Sequence, residues 1–309
     1  MVASGPLLRV SVVVPVYNDP ENLRDALARL TDQTLPPDRY EIVVVDDGST
    51  DATPQVIATA SAGPAQVRVV RLDPNRGRAA ARNAGIQTAL GPIIVFVDSD
   101  VLVARDFLER HLAIHAAAGR PVVGRGPVAA IPSRDVPVRP PMTRISSAYL
   151  DTANASIPRQ TLIDAGLFDE GFRVYGWEDF DLGMRLRARG IPRVFSAEAL
   201  AYHVVPPPTF ETFNRHLVKE EERARTALYL LRKHPGLATR MLTQDTPPQR
   251  FVHFLIGGAG LITEHNAPAI ERWLRTRGLH TLAFLVIRGV LTRHYFRCLD
   301  QFRARGAVP

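Results

Sequence analysis

Four short apolar runs, each followed by a segment of different periodicity, restrict this chain more than any other feature. VSVVVPVY (10–17), EIVVVDD (41–47), QVRVVRL (66–72) and PIIVFVDSD (92–100) have the length and β-branching of strands. Between them, NLRDALARLTDQ (22–33) sets Leu23, Ala26, Leu27 and Leu30 on one helical stripe, and helices are predicted over about 53–61 and 77–89. Continuous Val/Ile runs suit strands buried on both faces, and strand–helix–strand alternation in one sheet closes through right-handed crossovers. The expected fold class is α/β: a Rossmann-like, mostly parallel open sheet flanked by helices.

The rhythm changes after Asp100. DFLERHLAIHAAAG predicts a helix, PVVGRGPVA a strand, and PSRDVPVRPPM, with its prolines, a loop. A helix from Arg159, another over about 180–189 and a strand near RVFSAEALAYHV complete a unit expected to span 1–205, in halves 1–105 and 106–205. PPP at 206–208 then introduces a helical C-terminal extension, 206–309. That extension holds 16 Lys and Arg against 8 Asp and Glu, whereas the rest holds 22 against 23, so the net charge of +7 belongs to it. Such an excess suits an anionic membrane surface; nucleic acid is not expected, because the aromatic–basic interleaving of single-strand binders is missing. Its apolar stretches, FVHFLIGGAGLI and LAFLVIRGVLTRHYF, can complete a core, form a homodimer face or lie peripherally on a membrane.

One cysteine, Cys298, excludes an internal disulfide and a multi-cysteine zinc site, and is expected to fill a helix face. The N-terminus has no basic signal region and no apolar stretch reaches membrane-span length, so the expected location is the cytoplasm or the inner face of its membrane. His111 and His115 have i, i+4 spacing without the surrounding pattern of a zinc helix, and are expected on a surface face.

In an open α/β sheet, ligands bind outside the carboxyl ends of the strands. Three strands end in polar residues there: Tyr17-Asn18-Asp19, Asp46-Asp47-Gly48-Ser49 and Asp98-Ser99-Asp100. The last is a D-x-D pattern. In extended chain, positions i and i+2 point the same way, so Asp98 and Asp100 can address one ligand. Two such carboxylates repel unless a cation lies between them, and their oxygens suit Mg²⁺ or Mn²⁺ completed by diphosphate oxygens. Each stretch alone is also ordinary turn and cap chemistry.

Taken in order, VVPVYN, EIVVVDDGSTD, NRGRAAARNAG from Asn75, FVDSD, GLFDEGF and GWEDFDLGMRL resemble the inverting family-two glycosyltransferases with the GT-A fold, over roughly residues 8–205. That resemblance implies transfer of a sugar from a nucleotide-diphosphate donor, UDP-linked as the first expectation, to a hydroxyl of a saccharide, lipid-linked glycan or small molecule. It implies that Pro15, Val16, Tyr17 and Asp47 hold the nucleoside, with Asp47 on the base edge, and that Gly77, Arg78, Arg82 and Ser99 belong to the nucleotide region. Asp98 would face the ribose or the metal shell, and Asp100 and His203 would ligate the Mn²⁺ or Mg²⁺.

Inverting transfer also needs a base opposite the leaving diphosphate. The downstream acid-rich stretch is Trp177-Glu178-Asp179, and the resemblance makes Asp179 the base. Glu178 is left either to bond the acceptor or to orient the loop, Trp177 to stack on a sugar or pack beneath the site, and Asn154 to touch the donor or acceptor sugar. Asp181 is expected to act on the dipole of the helix that follows. Two rival readings are a sugar-phosphate nucleotidyltransferase and an inactive nucleotide-sugar-binding scaffold. A dinucleotide fold is rejected, since GRGPVA (124–129) matches G-x-G-x-x-A in letters but does not open a helix.

Overall fold

The computed structural model describes residues 8–62, 66–137, 148–205, 212–256 and 261–306. The triproline, residues 138–142 of the proline-rich loop and 257–260 of FVHFLIGGAGLI lie outside them. In chain order the elements are β1 (Val10–Val16), α1 (Pro20–Thr31), β2 (Tyr40–Asp46), α2 (Thr53–Ser61), β3 (Gln66–Arg71), α3 (Arg78–Thr88), β4 (Ile93–Phe96), β5 (Val101–Val103), α4 (Phe107–Ala118), β6 (Val123–Arg125), β7 (Val128–Ile131), β8 (Ala155–Pro158), α5 (Arg159–Asp164), α6 (Glu178–Ala188), β9 (Arg193–Phe195) and β10 (Ala201–Val204). Five helices follow: α7 (Phe213–Lys233), α8 (Leu237–Leu242), α9 (Pro247–Ile256), α10 (Ala267–Thr276) and α11 (His280–Ala304).

The larger sheet runs β3-β2-β1-β4-β8-β6-β9, parallel from β3 through β4, with β8 antiparallel to both of its neighbours. Alternation along β1 divides the core. Val10, Val12, Val14 and Val16 face the layer of α1, α2 and α4, whereas Val13 faces that of α3, α5 and α6. Each fully buried valine or leucine contributes about 1.5–3 kcal/mol, so both sides of β1 hold the helices down. Leu23, Ala26, Leu27 and Leu30 are the buried stripe of α1. The small residues of α3 let it lie close on the sheet: a Cβ on Gly85 would come within 2.5 Å of Val13 Cγ1.

A smaller sheet, β5-β10-β7, sets His203 opposite Val101. Two differences from the sequence reading bear on the site. The strand expected over 92–100 ends at Phe96, and α6 begins at Glu178 rather than Phe180, which places Glu178 and Asp179 in its first turn.

The chain divides into two compact units, Met1–Arg173 with Glu178–Pro206, and Val174–Trp177 with Pro207–Pro309. Within the second, α7 and α11 pack through Ala224, Ala227, Leu228, Tyr295 and Leu299, and Cys298 is buried among them. Among the described residues no helix is long and apolar enough to cross a membrane.

Candidate active site

Strand order places a switch point between β1 and β4, the position where an open α/β sheet leaves a crevice. The ends of these strands meet there. Ser99 Oγ donates to Asp19 Oδ2 at 2.9 Å, and burial, helped by the charge of Asp100, raises the Asp19 pKa against that bond. Tyr17 is half exposed at the rim, whereas the Val16 side chain is buried and its carbonyl accepts the Asp47 N–H at 2.9 Å. Only the backbone of Val16 is therefore available to a nucleoside. Pro15 beside it is part-buried in β1.

Asp47, expected on the base edge, is engaged by backbone amides. It is 4% exposed, and its two oxygens accept the Arg76 and Gly77 N–H groups at 2.8 Å each. Burial raises its pKa despite those bonds. The residue shapes the turn into α3, and Gly77 is required there, with φ +87° and Arg173 O only 2.5 Å from where a Cβ would stand. Arg78, at the exposed first position of α3, carries its charge toward Asp98.

Arg82, one turn further, is 1% exposed and commits both terminal nitrogens, to Asp98 Oδ1 and Glu178 Oε1, at 2.8 Å each. Burial disfavours its charge, but Asp98 and Glu178 outweigh that and raise its pKa. It is thus a bridge between strand end and α6, not the nucleotide contact expected. The Asp98 expectation changes with it. Past Phe96 the chain turns, with Val101 N–H donating to Asp98 O at 3.1 Å, so Asp98 and Asp100 do not stand at the i and i+2 positions of an extended strand. Burial works against the Asp98 carboxylate, but Arg82 and Arg78 hold its pKa below the usual range.

Asp100 instead meets His203, whose Nε2 lies 3.0 Å from Asp100 Oδ2, because β10 pairs with β5 and Val204 N–H donates to Asp100 O. Burial disfavours imidazolium at His203, but the hydrogen bond and charge of Asp100, with Asp98 and Asp151 behind them, raise its pKa. Adjacent ligands of an octahedral ion with bonds of about 2.1 Å stand about 3 Å apart, so this pair fits two positions of Mg²⁺ or Mn²⁺. Among the described residues no cluster of three or more His, Cys, Asp or Glu is arranged to hold a metal. The remaining positions would need oxygens from a ligand.

Glu178 is buried in the Arg82 bridge, with Oε2 unpartnered beside an unpartnered Arg82 Nε. It orients α6. Asp179 is half-buried, accepts the Phe180 N–H at 2.8 Å and has no guanidinium partner within ion-pair distance among the described residues. Burial first, then Glu178 and Asp151, push its pKa well above the ordinary carboxylate value. Asp181 is buried and paired with Arg185, which also donates to the Leu167 carbonyl, an anchor for the loop before α6.

One sugar-contact expectation fails on geometry. Asn154 is 0% exposed and donates to Pro127 O and Ala199 O at 3.0 and 2.7 Å, while its Oδ1 accepts from His111 Nε2 at 2.9 Å. Trp177 belongs to the second unit, where its Nε1–H donates to Arg223 O at 2.9 Å. The histidines also leave the surface. His111 Nε2–H to Asn154 makes Nδ1 the acceptor of Ser156 Oγ–H, and His115 Nε2–H then donates to Ser156 Oγ. Burial pushes both imidazoles down to about 4.

Asp151 and Arg125 were missed. They form a 3.1 Å pair, with Arg125 2% exposed, and the signal available was an acid beside the Asn154 of LDTANASI. The GRG that imitates a dinucleotide turn serves packing: a Cβ on Gly124 would meet Ser156 Oγ at 2.4 Å, and one on Gly126 Ala199 O at 1.7 Å.

The family model described as "Glycosyl transferase family 2" matches residues 11–168. The chain is 31% identical over 269 residues to a validoxylamine A glucosyltransferase of Streptomyces hygroscopicus subsp. limoneus, covering 75% of this chain and 58% of that protein. The corresponding enzyme of subspecies jinggangensis is 30% identical, with 62% of its length covered. The chain thus spans about three fifths of the length of these curated relatives. Among solved structures, the mannosyltransferase PcManGT of Pyrobaculum calidifontis, in complex with GDP-Man and Mn²⁺, is 19% identical with a TM-score of 0.61, covering 95% of this chain and 89% of that one. S. aureus TarS 1-349 in complex with UDP-GlcNAc is 18% identical with a TM-score of 0.56, covering 96% and 92%. At these identities the likeness is one of fold, the GT-A type.

Proposed function

Because the chain belongs to glycosyl transferase family 2, an inverting family, we propose that it moves a sugar from a nucleoside-diphosphate donor to a hydroxyl acceptor with Asp179 as general base. The observation that carries this reading is the contrast among its acids. Asp98 and Glu178 are neutralised by Arg82 and Asp100 faces His203, while Asp179 has no cationic partner within ion-pair distance among the described residues and a raised proton affinity. A base needs that combination of access and proton affinity.

Tyr17 and the turn shaped by Asp47 and Gly77 border the nucleoside. The start of α3, with Arg78 on its first turn, faces the diphosphate, as helix N-termini favour anions. Asp100 and His203 would hold Mg²⁺ or Mn²⁺, which when bound neutralises the departing diphosphate. The Mn²⁺ in the PcManGT complex supports that choice. Asp179 takes the proton of the acceptor hydroxyl as its oxygen attacks the anomeric carbon from the face opposite the diphosphate. Glu178 and Arg82 hold the α6 turn that presents it.

The acceptor we favour is a lipid-linked saccharide at an anionic surface. Phe251, Val252, Phe254 and Leu255 are exposed on α9, within the part of the chain that carries the basic excess. Co-sedimentation with phosphatidylglycerol vesicles at low salt tests this, and a dimer in sedimentation equilibrium without vesicle binding would replace it with a homodimer face.

The activity itself is tested by nucleotide release from UDP-, GDP- and dTDP-hexoses with Mn²⁺. One donor should turn over, chelation of the metal should stop it, and Asp179→Asn should bind that donor without transferring the sugar. Full transfer by Asp179→Asn would remove the proposed base, and no binding of any donor would remove the reading.

A further inference from the structure

Asp151 shares a sheet edge with the turn that carries Asp98 and Asp100, three positions before the Asn154 of LDTANASI. The antiparallel register of β8 on β4 sets Ala155 opposite Phe96, so the turn over residues 151–154, which leads into β8, and the turn over residues 97–100, which follows β4, start from the same end of this strand pair. The β6 register sets Arg125 opposite the same Ala155. Arg125, the Asp151 turn and the Asp98–Asp100 turn thus share one sheet edge.

The Asp151 side chain is held in place. Its Oδ2 accepts from Arg125 Nη2 at 3.1 Å, its Oδ1 accepts the Ala153 N–H at 3.3 Å, and its carbonyl accepts the Asn154 N–H at 3.1 Å. Arg125 is nearly inaccessible and is itself fixed by the Ala148 carbonyl, yet the Asp151 side chain remains 23% exposed. A carboxylate offers about four lone-pair positions, so roughly two stay available to neighbouring hydroxyls. The charge of Asp151 also reaches Asp179 on the base side, where it contributes to the raised proton affinity. Between a diphosphate and a base lies the sugar ring.

We infer that the Asp151 carboxylate, oriented by Arg125, accepts hydrogen bonds from ring hydroxyls of the transferred hexose and so helps determine which donor sugar is used. This rests on the glycosyltransferase reading above. A carboxylate that served only to neutralise Arg125 would bind no ligand.

Isothermal titration with Mn²⁺ separates the possibilities, using UDP and GDP as sugar-free probes and UDP-glucose, UDP-N-acetylglucosamine and GDP-mannose as donors. The wild type should bind one donor more tightly than its nucleoside diphosphate. Asp151→Asn should keep the nucleoside diphosphate affinity within about twofold and lose about tenfold or more for that donor, the scale of a hydrogen bond to a charged group. Monodeoxy analogues of the same donor probe the wild type directly, without relying on the variant's folding. Removal of at least one hydroxyl should weaken binding by a similar factor, and a folded Asp151→Asn should no longer distinguish that analogue from the parent. Equal loss for nucleotide and donor, or no loss for any deoxy donor, overturns the role of Asp151 alone. Wild-type protein that binds none of these nucleotides overturns the donor-site reading and this inference together.

Discussion

The two edges of the main sheet each bury a glutamate beside an arginine, and they use it differently. At the edge where the parallel strands begin, Glu41 is 0% exposed and its oxygens are taken up: Oε1 by Ser11 Oγ–H and the Leu90 N–H, and Oε2 by Arg68. Ser11 Oγ in turn accepts the Gly91 N–H, so this cluster pins the turn between α3 and β4. At the opposite edge Glu178 is also buried, yet among the described residues Glu178 Oε2 and Arg82 Nε have no partner, and Asp179 beside them has no neutralising cation within ion-pair distance. The first arrangement is a completed anchor. The second keeps buried polarity open, which costs stability and is retained where a ligand or a proton completes it. α3 joins the two, with its Ala- and Gly-rich body on the sheet, its start serving the site and its end serving the anchor.

The contrast breaks most readily at Asp179. Asp179→Asn should lower transfer about 10²–10⁴-fold with donor affinity nearly unchanged. Its melting temperature should hold or rise, since a carboxylate held against its preferred ionisation is removed; a variant that loses stability rather than turnover would make Asp179 an anchor like Glu41. Glu41→Ala should do the reverse. Urea unfolding should show a loss of about 3 kcal/mol, because buried donors and Arg68 lose their partner, while turnover per folded molecule stays within about twofold.

The histidines predict a pH effect on stability. His111 and His115 have folded pKa values of about 4, below the value of about 6.5 for a free imidazole. The unfolded chain therefore binds more protons between those values, so their contribution is fully present above about pH 6.5 and is lost as pH falls toward 4. A few kcal/mol should disappear over that window, and His111→Gln should flatten the slope of melting temperature against pH. An unchanged slope would remove the buried neutral pair.

The smallest effect sharpens the site itself. Asp179 acts only when deprotonated, so activity should rise with pH through a midpoint above the ordinary carboxylate range. Glu178→Gln removes a like charge and should move that midpoint down by about one unit. Arg82→Met should move it up, and Glu41→Gln should leave it in place.

Much of this was legible in the sequence because it is local. Val/Ile runs, the Leu23–Leu30 stripe and the acids after β2 act over a few residues and appear where the sequence puts them, while the strand before Asp98 stops early, at Phe96. The resemblance makes Asp100 and His203 ligands of one ion, and the β10–β5 pairing brings the two side chains within hydrogen-bond distance. Asn154 could not be placed, because a polar residue beside a strand reads alike whether it meets a sugar or two buried carbonyls. Trp177 could not be placed either, since the partner of its indole N–H comes from Arg223, 46 positions later.

What the sequence determined by itself is the α/β alternation, the carboxylates offered at the ligand-binding edge and the helical extension with its basic excess, since periodicity and composition are carried by neighbouring residues. Only the tertiary structure decided how those carboxylates divide their work. Arg82 takes Asp98 and Glu178, Arg125 takes Asp151, and Asp179 is left without either guanidinium at ion-pair distance. That division depends on pairings between residues 16, 96 and 26 positions apart. It also depends on burial, which makes an unpaired charge expensive and so turns the choice of partner into a choice of function.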